Sequence, residues 1–128
     1  METLHIDGTD RTPTLLFEFD ANRYLLSGES YPEDVSEFYG GLLGQLSDHL
    51  NGLQGATVQF DFNFIYFNSS TAKVVMRLFE LLEQTAARGN RVTVNWHHEE
   101  GDDNMREMGG EFSEDLHQAH FNLLSKPG

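Results

Sequence analysis

Alternating apolar and polar positions mark the strands of this chain. Short alternations over residues 4–6, 15–19 and 24–26 predict a first strand and then a hairpin, whose two strands are joined by a four-residue loop. The longest alternation covers residues 57–67 and predicts a strand with one apolar and one polar face. Because residues 64–67 are all apolar, this end of the strand is predicted to be covered on both faces or to lie at the centre of the sheet.

Apolar residues spaced three and four apart mark the helices. The first helix is predicted to begin at a capping box formed by Ser30 and Glu33 and to end at Asn51-Gly52. A second helix is predicted to start at residues 68–71 and to end at residues 88–90. The stripe of the first helix consists of Val35, Phe38, Tyr39, Leu42, Leu43, Leu46 and Leu50.

The remaining pattern completes a small α/β domain. Residues 91–97 are a predicted strand, which forms a right-handed βαβ unit with the strand and helix before it. An acidic third helix is predicted within residues 99–115, weakened by Gly109-Gly110, and a final edge strand is predicted over residues 119–124. The sequence therefore predicts one domain over residues 1–128, a mixed β-sheet with helices mainly on one face in the order ββαβαβα.

Charge and composition exclude several classes of function. The chain has 21 acidic and 8 basic residues, a net charge of −13, which disfavours binding to nucleic acids and to anionic membranes. It contains no cysteine, so it has no disulfide, no thiolate nucleophile and no sulfur-ligated zinc. It also lacks a long apolar span and a secretory signal, so a cytoplasmic location is expected.

The junction between the long strand and the second helix holds the most informative polar residues. Asn68, Ser69, Ser70 and Thr71 are good N-cap residues, and capping alone accounts for them. The same hydroxyls suit phosphorylation, because the unpaired N–H groups and positive partial charge of a helix start favour anions. Ser70-x-x-Lys73 also matches the serine acyl-enzyme pattern, but the accompanying motifs are missing, which favours a solvent-exposed Lys73.

A metal site is the alternative interpretation. His97 and His98 precede an acidic segment, which suits a small metal-binding protein or a metal-dependent enzyme, with His117-x-x-His120 as further ligands. However, adjacent histidines on a strand point to opposite faces, which favours a solvated charged surface. The sequence also lacks a phosphate-binding loop and a nucleophile elbow. We therefore expect a binding or regulatory module without cofactor or metal, either a switch or a purely structural interaction domain.

Three short motifs resemble those of the SiaC-family regulatory phosphoproteins. Residues 27–34, Ser-Gly-Glu-Ser-Tyr-Pro-Glu-Asp, followed by Phe38-Tyr39, resemble the family's opening of the first helix. Residues 65–70, Ile-Tyr-Phe-Asn-Ser-Ser, resemble its Tyr-x-Asn-Thr/Ser-Ser segment, and residues 94–97 resemble its Trp-His strand end. The likeness extends from residue 4 to about residue 115.

This resemblance implies a STAS-like fold and a non-enzymatic bacterial switch protein. A cognate kinase would phosphorylate it, a PP2C-type phosphatase would reverse this, and the unmodified form would bind a diguanylate cyclase or another output protein, thereby controlling cyclic-di-GMP and biofilm formation. The phosphoacceptor would be Ser69, followed in rank by Ser70 and Thr71. We expect two groups of partner-binding residues: Tyr66, Asn68, Ser70 and Lys73 around the junction, and Gly28, Ser30 and Tyr31 before the first helix.

Overall fold

The computed structural model describes residues 3–127 and contains six strands and three α-helices. The first part of the chain forms β1 (Leu4–Ile6), β2 (Thr14–Glu18), β3 (Arg23–Ser30) and α1 (Val35–Asn51). The remainder forms β4 (Thr57–Phe67), α2 (Ser69–Ala87), β5 (Arg91–Glu99), α3 (Asp103–Phe112), a 3₁₀ turn (Ser113–Asp115) and β6 (His120–Lys126).

The six strands form one sheet in the order of the sequence, β1-β2-β3-β4-β5-β6. The pairs β1–β2 and β2–β3 are antiparallel, whereas β3 to β6 are parallel to one another. Each parallel connection passes through one helix, and right-handed crossovers that all advance in the same direction place their helices on the same face. The predicted mixed sheet with helices on one face is therefore confirmed. The order ββαβαβα is not confirmed, because it leaves out one of the three strands that the alternation predicts before α1 and the final edge strand, and the structure contains both as β1–β3 and β6.

The core lies between the helices and one face of the sheet. On β4, Val58, Phe60, Phe62 and Phe64 are buried against the helices, whereas the alternate residues face the other side, which we call the open face. Trp96 of β5 is at the centre of an aromatic cluster completed by Phe62, Phe64, Phe67, Phe79 and Phe112. Successive residues along β4 thus alternate between the core face and the open face of the sheet.

Helix α3 is fastened to the core through Trp96. The indole Nε1–H of Trp96 donates a hydrogen bond to the carbonyl oxygen of Met105 at 2.9 Å. A Cβ atom placed on Gly109 would lie 2.4 Å from Trp96 Cδ1, so only glycine permits this approach of helix and ring. Gly109 therefore has a packing role that the sequence did not indicate, whereas Gly110 has nothing within 4 Å of such a Cβ.

The predicted start of α1 is wrong. Ser30 is the last residue of β3, where it pairs with Phe67, and so it does not cap a helix. The N-cap is Asp34, whose Oδ1 accepts a hydrogen bond from the backbone N–H of Glu37 at 3.0 Å.

Within residues 3–127, none of the helices has the combination of length and apolarity needed to cross a bilayer.

Candidate functional site

The junction between β4 and α2 lies at the carboxyl end of the parallel strands, where ligands commonly bind in open α/β sheets. Asn68 is the N-cap of α2, and its Oδ1 accepts a hydrogen bond from the N–H of Thr71 at 2.9 Å. Its own backbone N–H donates to the carbonyl oxygen of Ser30 at 3.2 Å. The residue predicted as a capping residue is thus confirmed as one, and it ties α2 to the end of β3.

The three predicted phosphoacceptors differ sharply in exposure. Ser69 and Ser70 are exposed on the first turn of α2. Thr71 is fully buried, and its Oγ1 donates to the carbonyl oxygen of Ser30 at 3.0 Å. The hydroxyls of Ser69 and Ser70 are therefore accessible from solvent, whereas that of Thr71 is enclosed by the fold.

A buried hydroxyl network lies directly beneath the junction. Ser30 Oγ is 2.6 Å from Tyr39 Oη and 3.0 Å from Thr71 Oγ1, so β3, α1 and α2 meet at one point. Burial raises the pKa of Tyr39 to about 12, although the hydrogen bond with Ser30 acts in the opposite direction. Ser30 was expected to contact a partner, but its side chain is fully buried and its observed contacts are internal.

A β-bulge in the pairing of β3 with β4 changes the direction in which the side chains before the junction point. Gly28 pairs with Phe64 and Glu29 pairs with Tyr66, so Ile65 has no partner on β3. The backbone of Gly28 has φ of +102°, a conformation that favours glycine over residues with a Cβ atom. As a result, Ile65 and Tyr66 are 61% and 51% exposed. The apolar run lies on a central strand of the sheet, as one of the two alternatives predicted, but it is not covered on both faces, because the bulge shifts the phase of the strand.

Tyr31 and Tyr66 bring the two predicted contact segments together. Their rings are 5.8 Å apart in an edge-to-face arrangement.

 The two tyrosines are 35 positions apart in the sequence, so only the fold makes them neighbours. The backbone N–H of Tyr31 donates to the carbonyl oxygen of Arg11 at 2.7 Å, which holds the β1–β2 connection against this loop. The half-buried Tyr31 and the exposed Tyr66 form an apolar surface beside the junction, and the exposed Ile65 precedes Tyr66 on β4; we call these three residues the tyrosine patch.

The first turn of α2 is suited to an anion. Within residues 3–127, the backbone N–H groups of Ser69 and Ser70 have no hydrogen-bond acceptor, and they point out of the positive end of the helix. Lys73 is exposed one turn further along, and in the part of the chain that the structure describes it forms no ion pair. A phosphoryl group on Ser69 would therefore meet N–H donors and a cation without displacing another anion.

The alternative metal site is not formed. His97 lies on the open face, where its Nε2 is 2.9 Å from Asp61 Oδ1, whereas His98 is buried on the opposite face. Burial by itself would raise the pKa of Asp61, but hydrogen bonds from Gln59, His97 and Asn95 outweigh it and hold that pKa below its usual value. Across residues 3–127, the fold brings no three His, Asp or Glu side chains together in a group that could hold a metal ion.

Comparison with known proteins gives a consistent result. Residues 6–126 match the model of the SiaC family of regulatory phosphoproteins. The chain is 32% identical over 115 residues to an uncharacterized protein of Pseudomonas aeruginosa strain UCBPP-PA14, covering 90% of each sequence.

Solved structures extend this similarity to the fold. The crystal structure of apo-SiaC from Pseudomonas aeruginosa is 31% identical, with a TM-score of 0.86 over 97% of this chain and 99% of that one. SiaC in the crystal structure of the diguanylate cyclase SiaD with its activator SiaC, also from Pseudomonas aeruginosa, is 30% identical, with a TM-score of 0.88 over 96% and 99% of the two chains. The chain therefore belongs to the SiaC family of regulatory phosphoproteins.

Proposed function

We propose that this protein is a non-enzymatic bacterial switch in which phosphorylation of Ser69 controls binding to a diguanylate cyclase. Membership of a regulatory phosphoprotein family supports the switch, and the SiaD–SiaC complex of a relative supports the class of partner. The single observation that carries the choice of this junction is an exposed hydroxyl-bearing first turn of α2, with Ser69 beside unpaired N–H groups. The switch would act in the cytoplasm and adjust cyclic-di-GMP and, through it, biofilm formation.

The modification itself is a reversible group transfer. A cognate kinase transfers the terminal phosphoryl group of ATP to Ser69 Oγ, the hydroxyl proton leaves and ADP is released. A PP2C-type phosphatase hydrolyses the phosphoserine to serine and inorganic phosphate. Ser69 is preferred over Ser70 because Lys73 is its neighbour at position i+4, the favourable spacing for an anion that precedes a cation on a helix.

The phosphoryl group would act mainly on the docking surface. It adds about −1.5 to −2 charges at neutral pH, close to Tyr66 of the tyrosine patch, which is 51% exposed. An apolar partner surface placed on this patch would have to desolvate that charge, whereas the fold itself tolerates it at the helix start. Phosphorylation is therefore expected to block cyclase binding with little internal rearrangement.

The residues around the junction have two roles in this scheme. The partner is contacted by Tyr66, Tyr31, Ser70 and Lys73. These contact residues are held in position by Asn68, Ser30 and Gly28.

The site is tested by measuring the intact mass after co-expression with the kinase. The unsubstituted chain should gain the mass of one phosphate. Ser69→Ala should gain none, whereas the matched variant Ser70→Ala should be modified normally. Full modification of Ser69→Ala would contradict the assignment, and modification lost only in Ser70→Ala would move the site by one residue.

A further inference from the structure

The two edges of the sheet differ in length and in pairing capacity. β1 at one edge has three residues, whereas β6 at the other has seven and pairs with β5 along its whole length. The carbonyl oxygen of Lys126 accepts a hydrogen bond from the N–H of Glu100 at 2.7 Å, so the backbone groups of Lys126 face inward. Because these groups alternate along a strand, those of Phe121, Leu123 and Ser125 face outward.

This outer edge lacks the usual features that prevent strand pairing. Within β6 there is no proline, and its register with β5 contains no bulge. Lys126, at the end of the strand, is its only lysine. Leu123 and Leu124 are 41% and 38% exposed, which places two of the large exposed apolar residues of the described chain on one strand. Such an edge is a template for another strand.

Charge indicates that this edge is suited to a second copy of the chain. Residues 116–127 contain no Asp or Glu, although the whole chain has 21 acidic residues and a net charge of −13. Two copies therefore repel each other over most of their surfaces, whereas the β6 strands themselves add no acidic charge to the contact. At physiological ionic strength, the repulsion between the more distant charges is screened beyond about 8 Å.

We propose that β6 pairs antiparallel with β6 of a second copy, about a twofold axis at Leu123. In this register Leu123 faces Leu123, and Phe121 faces Ser125 in both directions. The outward backbone groups are then all used, since each facing pair exchanges two hydrogen bonds. The strand is thus complementary to itself, as a twofold interface requires. The contact is short, so we expect a weak, concentration-dependent dimer.

Disulfide trapping tests this register directly, because the chain has no cysteine of its own. Facing residues of a hydrogen-bonded antiparallel pair have Cα atoms about 5.5 Å apart, within the span of a disulfide. Leu123→Cys should oxidise to a species of twice the 14.5 kDa mass. It should do so at least about tenfold faster than the control Met76→Cys, because pairing raises the effective thiol concentration. Met76 is 50% exposed and belongs to α2, not to β6. Equal rates for the two variants would overturn the proposal.

Sedimentation equilibrium of the cysteine-free chain provides the second measurement. The dimer fraction should rise with protein concentration and with added salt, because salt screens the repulsion between the two acidic copies. Leu123→Lys should abolish the dimer, and so should Ser125→Pro, which removes an outward N–H and leaves the inward ladder to β5 intact. Unchanged thermal unfolding would verify that both variants are folded. A monomer at every concentration, or a dimer that persists in both variants, would overturn the proposal.

Discussion

At the scale of single residues, three buried hydroxyls determine how the start of α2 is held. Ser30, Tyr39 and Thr71 come from three different elements and satisfy one another, and no buried side-chain nitrogen or oxygen in the described part of the chain lacks a partner. Such a fully paired network fixes geometry, because breaking one member leaves the others buried and unsatisfied. The exposed Ser69 is therefore presented on a rigid support.

Thr71→Val tests the contribution of this network. Valine has nearly the same shape but cannot donate to the Ser30 carbonyl, so the free energy of unfolding should fall by about 1 to 3 kcal/mol. Urea unfolding measures the change. Ser70→Ala, an exposed change at the neighbouring position, should stay within about 0.5 kcal/mol of the unsubstituted chain. Equal stability of the two variants would contradict a structural role for the hydroxyl.

Gly109→Ala tests the contact between α3 and Trp96. The added Cβ would lie 2.4 Å from the indole, so the free energy of unfolding should fall by about 1 to 3 kcal/mol despite the better helix propensity of alanine. Gly110→Ala is the matched control and should stabilise the chain by about 0.5 to 1 kcal/mol, because nothing lies near its Cβ. Thermal unfolding followed by the fluorescence of the single tryptophan distinguishes them, and similar midpoints would rule out the tight contact.

Lys73 should lower the second pKa of the phosphoserine if Ser69 is the phosphoacceptor. A nearby cation favours the dianion, so the second pKa of the phosphate should lie below its usual value of about 6. Lys73→Ala should raise that pKa, while Arg77→Ala, one turn further along α2, should leave it unchanged. A phosphorus NMR titration of the modified proteins measures both. An identical pKa in all three would show that Lys73 does not pair with the phosphate.

At the scale of elements, the connection between α3 and β6 is held by one carboxylate of α2. Glu83 accepts hydrogen bonds at 3.0 Å from the backbone N–H groups of His117, Gln118 and Ala119. Burial alone would raise the pKa of Glu83, but the three N–H donors outweigh it and lower the pKa below 4.5. Because the pKa is lower in the folded chain, this contribution is present above pH 4.5 and is lost as the pH falls through the folded-state pKa.

Glu83→Gln should therefore lower stability at neutral pH and flatten its dependence on pH in the acid range. We expect a loss of about 1 to 2 kcal/mol at pH 7, at the lower end for charged hydrogen bonds because water screens this site. Unfolding free energies at pH 7 and below pH 4.5 measure the change. Glu80→Gln, on the same helix, is the control, since Glu80 has no hydrogen bond or ion pair within residues 3–127. A pH dependence identical to that of the unsubstituted chain would contradict the role of Glu83.

At the scale of the whole molecule, local patterns predicted the elements better than their junctions. β4 spans the predicted residues 57–67, because alternation is a local signal, and Asn68 caps α2 because capping is also local. The contact between Ser30 and Thr71 joins positions 41 residues apart, so no nearby pattern reveals it. The bulge opposite Gly28 depends on the register between strands, which the sequence of either strand alone does not specify.

The same limit applies to the candidate site. Hydroxyls at a helix start indicated an anion-binding position, but capping explained them equally well, and the family motifs were needed to favour modification. The exposure of Ile65 and Tyr66 follows from the bulge, so the tyrosine patch was not evident from the apolar run. The net charge of −13 was evident from composition alone, and a phosphoryl group would make it more negative.

The most direct test of the switch is the affinity of the diguanylate cyclase for the unmodified and the Ser69-phosphorylated protein, measured by calorimetry under the same conditions. Phosphorylation should weaken binding by at least about tenfold, because a charge must be desolvated at the tyrosine patch. Equal affinities, with Ser69 verified as fully modified, would contradict a switch based on this residue.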